Sequence, residues 1–214
     1  MKIEAEALRL YAVSDRSWLK EGESLAGVLE EMLEAGVTCV QLREKELDDS
    51  AFLAEARELA GLCRRYGVPL IINDRPDIAK EAGADGVHVG LSDMGIEKAR
   101  AYLGDGFIIG GSAHNVQEAL AAQAAGADYI GCGAVFGSST KKYATNLALK
   151  ELKAICGAVS IPAVAIGGIS LDNVQSLKGS GIAGVAVISG LFAAEDKQEA
   201  VRGFLSMEIQ EDRQ

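Results

Sequence analysis

A three-part unit recurs along the chain: a polar amphipathic stretch, then glycine, then a compact apolar run. Five segments follow this rule, at residues 34–41, 66–73, 82–88, 125–131 and 181–188. Glycine after a helix supplies the left-handed position that ends it. The apolar runs are too short for helices and do not alternate, which is typical of parallel strands covered on both faces. The sequence therefore predicts repeated helix–strand units.

Three further apolar runs, at Leu8–Val13, Phe107–Gly111 and Ile161–Ile166, bring the predicted strands to about eight. The predicted helices lie near 24–35, 49–65, 76–82, 95–103, 115–125, 146–156, 171–179 and 196–205. Strands and helices alternate without a linker, and about eight such units close into an α/β fold, the (β/α)₈ TIM barrel. We expect a single domain over residues 1–214, with 206–214 as a frayed tail. An open doubly wound sheet is the alternative, but no Gly-x-Gly-x-x-Gly follows the first strand.

The composition argues against several classes of partner. The 214 residues carry a net charge of −10, whereas nucleic acids and anionic membranes require a basic face. No stretch approaches the roughly 18 apolar residues of a membrane span, and Met1–Ala7 lacks the apolar segment of a signal peptide. The four cysteines form no Cys-x-x-Cys pair, which favours structural thiols over a metal or redox site. We therefore expect a cytoplasmic protein that acts on small molecules.

Polar residues interrupt the repeating pattern almost only just past the C-terminal ends of the predicted strands. In a (β/α)₈ barrel these positions converge on one rim, where such enzymes have their active sites. Turn and cap roles explain any one of these residues, but they do not explain the whole set. The set comprises Gln41, Arg43 and Lys45; Asn73, Asp74 and Arg75; His88 and Asp93; Ser112 and His114; residues 137–142; Gly167 and Gly168; and Ser189 and Gly190.

The segment after the second predicted strand suits an anion. Period-two alternation places Gln41, Arg43 and Lys45 on one side of the strand end. Arginine offers a planar fork and lysine a mobile point charge, a combination suited to a diphosphate. The alternative is a surface charge run in which these cations pair with Glu44 and Glu46.

Two aspartates follow neighbouring strands. The carboxylates of Asp74 and Asp93 can meet at one cation, and Mg²⁺ typically takes one or two carboxylates together with water and substrate phosphate. The alternative is that each aspartate serves as a turn or cap residue. Their position beside Arg43 and Lys45 favours a Mg²⁺ site.

Two further segments suggest anion binding. The loop 137–146 carries three successive Ser and Thr hydroxyls followed by two lysines, so it can close over an anion through Lys141; a disordered surface loop is the alternative. Glycines at 167–168, and Ser189 with the glycine that follows it, come after the last two strands. This is the usual phosphate site of the fold, built from backbone N–H groups.

The two histidines are less informative. His88 lies inside a predicted strand, which favours a core residue over a ligand. His114 either faces the pocket or merely precedes a helix N-cap at Asn115. Neither a nucleophilic triad nor a zinc-binding spacing is evident.

Taken together, the motifs resemble those of the thiamine phosphate synthase family. The match runs in order from about Leu10 to Phe204, and it is specific as a set although each motif is weak alone. The matching segments are Tyr11–Asp15, Gln41–Lys45, Asn73–Arg75, Asp85–Gly90, Gly111–His114, Ala127–Gly131, Ser139–Lys142, Ile166–Ile169 and Val187–Ser189.

The resemblance implies that hydroxymethylpyrimidine diphosphate is joined to hydroxyethylthiazole phosphate, giving thiamine phosphate and pyrophosphate. The diphosphate leaves first, and the thiazole nitrogen captures the pyrimidine-stabilised carbocation. Such a step needs no nucleophile; it needs charge stabilisation on the leaving group.

The resemblance also implies a role for individual residues. Gln41, Arg43, Lys45, Asn73, Ser112 and Lys141 hold the pyrimidine diphosphate, and Arg43, Lys45, Ser112 and Lys141 among them assist catalysis. Asp74 and Asp93 bind Mg²⁺, the expected cofactor. Ser138, Ser139, Thr140, Gly168, Ile188 and Ser189 place the thiazole phosphate.

The chain departs from the family pattern at three positions. Leu91 replaces the usual Gln, Ala134 the usual Pro, and Ser138 the common Thr. Ser138 keeps a hydroxyl, Ala134 leaves the approach to the loop less rigid, and Leu91 removes a polar group near the expected metal. Two alternatives remain: a thiazole tautomerase, which needs His114 as acid–base catalyst, and a non-catalytic thiazole-phosphate or thiamine-phosphate binding protein.

Overall fold

The computed structural model describes residues 3–90, 95–137 and 147–207. Its eight strands are parallel, each pairs with its neighbours in sequence, and the first also pairs with the last. They are β1 (Leu10–Val13), β2 (Cys39–Leu42), β3 (Leu70–Asn73), β4 (Gly86–Val89), β5 (Ile108–Ala113), β6 (Tyr129–Gly133), β7 (Ala163–Ile166) and β8 (Gly184–Val187). The predicted TIM barrel is confirmed, and closure excludes the open-sheet alternative.

Helices surround the barrel. In the described ranges they are α1 (Leu25–Ala35), α2 (Asp49–Tyr66), α3 (Pro76–Ala82), α4 (Ile96–Leu103), α5 (Val116–Ala124), α6 (Leu149–Ala158), α7 (Ser189–Phe192) and α8 (Lys197–Ser206). The glycine stop signals act as predicted: Gly36 and Gly67 follow α1 and α2 with φ of 112° and 66°. Because left-handed backbone is easiest for glycine, these positions end each helix and turn the chain into the next strand.

One predicted helix is wrong. Residues 171–179 hold only a 3₁₀ turn, Val174–Leu177. The Asn173 side chain explains this, because it accepts a hydrogen bond from the Ser170 N–H at 2.9 Å and donates one to the Gly168 carbonyl at 2.8 Å. An asparagine that bonds to nearby backbone competes with helix formation. The short helix α7 was not predicted, since four residues are too few to show a helical period.

The barrel interior is packed with side chains that alternate inward along the strands. Tyr129 on β6 enters this interior because its neighbour in register on β5 is Gly110. A Cβ at Gly110 would overlap the Tyr129 phenol ring. A second, larger core lies between the strands and the surrounding helices. The interior is therefore a filled core rather than a pore, which leaves the rim for ligands.

The remaining expectations about the chain concern its surface and thiols. Within the described ranges, no helix is both long and apolar enough to cross a membrane. Helix α8 ends at Ser206, and most of the predicted frayed tail, residues 208–214, lies outside the described part. All four cysteines are described and are free thiols. Burial raises the pKa of Cys63 to about 12 and that of Cys156 to about 11, which makes both poor nucleophiles.

Candidate active site

A lysine, an aspartate and an asparagine meet at the C-terminal ends of β2 and β3. Lys45 Nζ lies 2.9 Å from Asp74 Oδ2, and Asn73 Nδ2 donates to the same oxygen at 2.6 Å. Lys45 and Asp74 are 29 residues apart in sequence, and the parallel pairing of β2 with β3 brings them together. We call Lys45, Asn73 and Asp74 the rim cluster. The structure thus juxtaposes three of the predicted site residues on neighbouring strand ends.

The backbone conformation of Asp74 directs its carboxylate toward Lys45 and Asn73. Asp74 has a φ of 61°, the left-handed region, and its N–H donates to the His88 carbonyl at 2.8 Å. Asparagine and aspartate tolerate this conformation better than other side chains do. The link to His88 ties the end of β3 to β4. The carboxylate position is therefore set by the strand pairing and not only by its exposed partner Lys45.

Arg43 is held at its backbone. Its N–H donates to Ser14 Oγ at 2.9 Å, and the Ser14 hydroxyl donates back to the Arg43 carbonyl at 3.3 Å. Ser14 is itself buried at the end of β1. This reciprocal pair fixes the start of the segment that carries the two predicted diphosphate-binding cations, Arg43 and Lys45.

Glu44, between those two cations, has a side chain that is only 4% exposed, so it is not a member of a surface charge run. One carboxylate oxygen accepts the backbone N–H groups of Lys45 and Glu46 at 2.8 and 3.1 Å. The other accepts Arg16 Nε at 3.0 Å. Arg16 also donates from Nη2 to both carboxylate oxygens of Glu55 on α2, at 2.6 and 2.8 Å. Glu44 therefore pairs with Arg16 and clamps the loop after β2.

Glu44 is charged in this environment. Burial by itself raises the pKa of the Glu44 carboxyl. The backbone N–H groups of Glu46 and Lys45 and the Arg16 guanidinium outweigh burial, so the net effect is a lowered pKa. The charged form is the one that the fold stabilises.

We expect Glu44→Gln to destabilise the fold by about 1 to 3 kcal/mol at pH 7, since charge-assisted bonds become neutral ones. Because the folded pKa of Glu44 is lowered, its contribution is fully present above the unfolded pKa of about 4.3 and is lost as the pH falls through the folded pKa. Denaturant unfolding of parent and variant between pH 7 and pH 3 measures the difference. The exposed Glu31→Gln is the control. A difference that stays constant down to pH 3 would contradict the charge assignment.

Inside the barrel, just below the rim, a chain of polar side chains joins Gln41 to Ser112. Gln41 is buried on β2, and Ser112 lies on β5. Between them are Tyr11, Tyr129 and His88, which the sequence pattern places in strands or in the core. The tyrosines carry no sequence signal of a site, because each stands in an apolar run. Both ring nitrogens of His88 thus have polar partners within the barrel, as expected of a hydrogen-bonded core residue.

At the ends of β7 and β8 the rim is made of backbone. Gly167 and Gly168 have φ of 102° and 63°, and a Cβ at Gly168 would lie 2.5 Å from the Phe136 carbonyl oxygen. Ile188 and Ser189 begin α7 beside this turn, where a Cβ at Gly190 would meet the Ile169 carbonyl oxygen at 2.7 Å. The predicted thiazole-phosphate residues Gly168, Ile188 and Ser189 thus lie on adjacent strand ends.

His114 lies on the surface. Its Nδ1 is 3.0 Å from Glu118 Oε2, and the next residue, Asn115, caps α5 by accepting the Glu118 N–H at 2.9 Å. His114 thus directly precedes the helix N-cap at Asn115, and its ring is hydrogen-bonded to Glu118 on α5.

Several predicted residues lie outside the described ranges, so their placement stays a prediction. They are Asp93, Ser138, Ser139, Thr140 and Lys141, together with Leu91 and most of the predicted closing loop. Within the described ranges, no group of three or more His, Cys, Asp or Glu side chains could hold a metal ion. The expected Mg²⁺ site relies on two carboxylates, of which Asp74 is described. Ala134 is described; its peptide bond with Gly133 is cis, and it lies beside Gly167.

The closed barrel and its polar mouth define the class of protein to which the chain belongs: (β/α)₈ barrels with a site at the C-terminal ends of the strands. The family model described as thiamine monophosphate synthase matches residues 10–191. The chain belongs to this family, which confirms the resemblance seen in its sequence.

Individual relatives agree with the family match. A thiamine-phosphate synthase of Fusobacterium nucleatum subsp. nucleatum is 46% identical over 197 residues, covering 92% of this chain and 95% of the relative. One of Clostridium novyi is 48% identical over 193 residues, covering 90% and 94%. The solved structure of a thiamine phosphate pyrophosphorylase from Pyrococcus furiosus superposes with a TM-score of 0.87 at 36% identity, covering 95% and 96%.

Proposed function

We propose that this protein is a thiamine phosphate synthase, which transfers a pyrimidinylmethyl group from its diphosphate to a thiazole phosphate and releases pyrophosphate. The observation that carries the proposal is the rim cluster, because it combines a cation for the diphosphate with a carboxylate for a metal ion. Gln41 and Ser112 lie toward the same end of the barrel, on β2 and β5, and supply neutral hydrogen-bonding groups for the pyrimidine ring. The family match over residues 10–191 supports the assignment.

The chemical task of these residues is to accept charge. Carbon–oxygen bond cleavage leaves negative charge on pyrophosphate and positive charge on the pyrimidinylmethyl carbon. Arg43, Lys45 and Lys141 are the cations assigned to the leaving group, where they oppose the net charge of −10 on the chain. Ser112 positions the pyrimidine. The thiazole nitrogen then bonds to the carbon, so no side chain has to act as nucleophile.

The donor chemistry fits Mg²⁺. Asp74 offers a carboxylate at the mouth, held by Asn73 and Lys45, and Mg²⁺ prefers such oxygen ligands beside phosphate. Asp93 is the proposed second carboxylate. When bound, Mg²⁺ would neutralise charge on the departing pyrophosphate. Lys45, released from Asp74, would then contact the diphosphate directly.

The thiazole phosphate is assigned to the neighbouring side of the mouth. Gly168, Ile188 and Ser189 lie there at the ends of β7 and β8, where backbone N–H groups bind phosphate in this fold, and Ser138, Ser139 and Thr140 are the hydroxyls assigned from the loop after β6. The free thiols and the small phosphorylated substrates fit a cytoplasmic enzyme. The tautomerase alternative is disfavoured because it needs no second metal-binding carboxylate, whereas Asp74 stands at the mouth and Asp93 is the proposed second one.

The direct test is to mix the purified chain with both substrates and Mg²⁺ and to measure released pyrophosphate. We expect stoichiometric release that requires both substrates and stops when a chelator removes the metal. Restoring Mg²⁺ should restore the rate. Ligand binding without release, by folded protein, would instead identify a binding protein. Isomerisation of a thiazole phosphate without the pyrimidine substrate would identify a tautomerase.

A further inference from the structure

Five side chains form one continuous hydrogen-bonded chain through the barrel interior. Its links are Gln41 Nε2 to the Tyr11 hydroxyl at 2.7 Å, Tyr11 to the Tyr129 hydroxyl at 2.8 Å, Tyr129 to His88 Nδ1 at 3.1 Å, and His88 Nε2 to Ser112 Oγ at 3.1 Å. The two ends, Gln41 and Ser112, are proposed substrate-binding residues. The three middle residues have no assigned role in the reaction.

Donor counting gives the first half of this chain a direction. The Gln41 amide nitrogen donates to Tyr11, so the Tyr11 oxygen is an acceptor there. The single Tyr11 proton then goes to the Tyr129 oxygen, which is a stronger acceptor than the nearby Cys39 sulfur. Tyr129, having accepted from Tyr11, gives its own proton to His88 Nδ1.

The second half follows from the chemistry of imidazole. A neutral ring carries its proton on one nitrogen, and an accepting Nδ1 leaves the proton on Nε2. His88 Nε2 therefore donates to Ser112 Oγ. The Ser112 hydroxyl proton is then directed away from His88. At the other end, use of the Gln41 amide nitrogen leaves its carbonyl oxygen as the group that accepts from a ligand.

We propose that Tyr11, Tyr129 and His88 are positioning residues that fix Gln41 as an acceptor and Ser112 as a donor toward the substrate. The inference rests on the proposed function, since it concerns how the pyrimidine is oriented. An aminopyrimidine carries an amino donor next to a ring-nitrogen acceptor. A fixed acceptor at Gln41 and a fixed donor at Ser112 match that pattern. In a pyrimidine ring bound the other way round, donor would face donor and acceptor would face acceptor.

Packing holds the five hydrogen-bonded side chains in place. Both tyrosines are buried, and burial raises their pKa well above the ordinary value, so each hydroxyl retains the proton that it must donate. The Tyr11 and Tyr129 rings meet edge to face with centroids 6.0 Å apart. Glycines provide the room: a Cβ at Gly110 would overlap Tyr129, and one at Gly131 would lie 3.2 Å from the His88 ring. Buried hydrogen bonds of this kind reinforce one another.

Nitrogen NMR of the full chain labelled with ¹⁵N-histidine tests the direction without any substrate. The chain has two histidines, and His114→Asn assigns the spectrum by removing one set of signals. We expect His88 Nδ1 to be unprotonated and Nε2 protonated at pH 7. The reverse tautomer, or a doubly protonated ring, would overturn the proposal. Because this readout needs only folded protein, it stands even if the chain makes no thiamine phosphate.

Removing the Tyr129 hydroxyl tests the consequence for binding. Tyr129→Phe takes away the donor to Nδ1, so the His88 signals should shift toward the other tautomer. In the synthase assay, KM for the pyrimidine diphosphate should rise about 10-fold, the loss of roughly one hydrogen bond, while KM for the thiazole phosphate stays constant. Tyr102→Phe, which removes an exposed hydroxyl, is the matched control and should change neither value.

A merely structural role predicts something different. In that case Tyr129→Phe would lower stability while leaving the His88 tautomer and the ratio of the two KM values unchanged, and the proposal would be rejected. If Tyr129→Phe does not fold, Tyr11→Phe is used instead, since it removes the hydrogen bond one step further from His88. The same two measurements, the His88 tautomer and the KM for each substrate, are made on it. An unchanged tautomer and an unchanged KM in that variant would also reject it.

Discussion

Replacing Asp74 by asparagine should lower kcat/KM by about 100-fold or more, because the change removes the proposed metal-binding carboxylate but keeps its shape. Asparagine tolerates the left-handed backbone at this position, which has a φ of 61°. The lost contact with the exposed Lys45 is a surface ion pair, worth no more than about 1 kcal/mol to the fold. Initial rates of pyrophosphate release at several Mg²⁺ concentrations, together with the thermal midpoint, separate loss of activity from loss of structure.

The matched control for Asp74→Asn is Asp49→Asn. Asp49 also pairs with a cation, at 2.6 Å from Arg75 Nη1, but that pair joins helix starts outside the rim cluster. We expect its activity to stay within about twofold of the parent, as for other exposed pairs. If Asp74→Asn kept more than a fifth of the parent rate at saturating Mg²⁺, the carboxylate would have no essential role and the metal proposal would fail.

The second large effect is expected on stability. Gly110→Ala should destabilise the fold by about 3 kcal/mol or more, because the added methyl group overlaps the Tyr129 ring inside a closed barrel. For a domain of this size such a loss lowers the thermal midpoint by roughly 6 to 12 °C. Tyr129 cannot easily move aside, since its ring contacts Tyr11 and His88. Calorimetry or denaturant unfolding measures the change.

Gly61→Ala is the control for Gly110→Ala. Gly61 lies within α2, and a Cβ there meets nothing within 4 Å. The same substitution should therefore stabilise the protein by about 0.5 to 1 kcal/mol through helix propensity. Equal effects at the two positions would show that the Tyr129 ring does not need the space beside Gly110.

The fold could be predicted from the sequence because each repeating unit contains the glycine that ends its helix. Glycines such as Gly36 and Gly67 end helices by their backbone conformation, which is a local property of the residue. The failure at 171–179 is local as well. There the Asn173 side chain bonds to the backbone of Gly168 and Ser170, and a hydrophobic pattern does not reveal that competition with a helix.

The site could be predicted only in part, because several of its contacts join distant parts of the chain. Lys45 and Asp74 could be expected to meet because the ends of consecutive parallel strands share a rim. The partner of Glu44 could not be predicted, because Arg16 lies 28 residues away. In the sequence alone, a charge run that is exposed cannot be distinguished from one with a long-range partner. The link between the two tyrosine hydroxyls joins residues 118 apart in an apolar context, and only the closed barrel reveals it.

The unusual backbone at Asp74 also limits how this mouth can be redesigned. Only aspartate, asparagine and glycine enter the left-handed region there at little cost, whereas other residues lose about 1 kcal/mol or more before any chemistry is considered. A library aimed at a different leaving group or a different ion has three practical choices at residue 74. New specificity must therefore come from the surrounding side chains, with the carboxylate position treated as part of the scaffold.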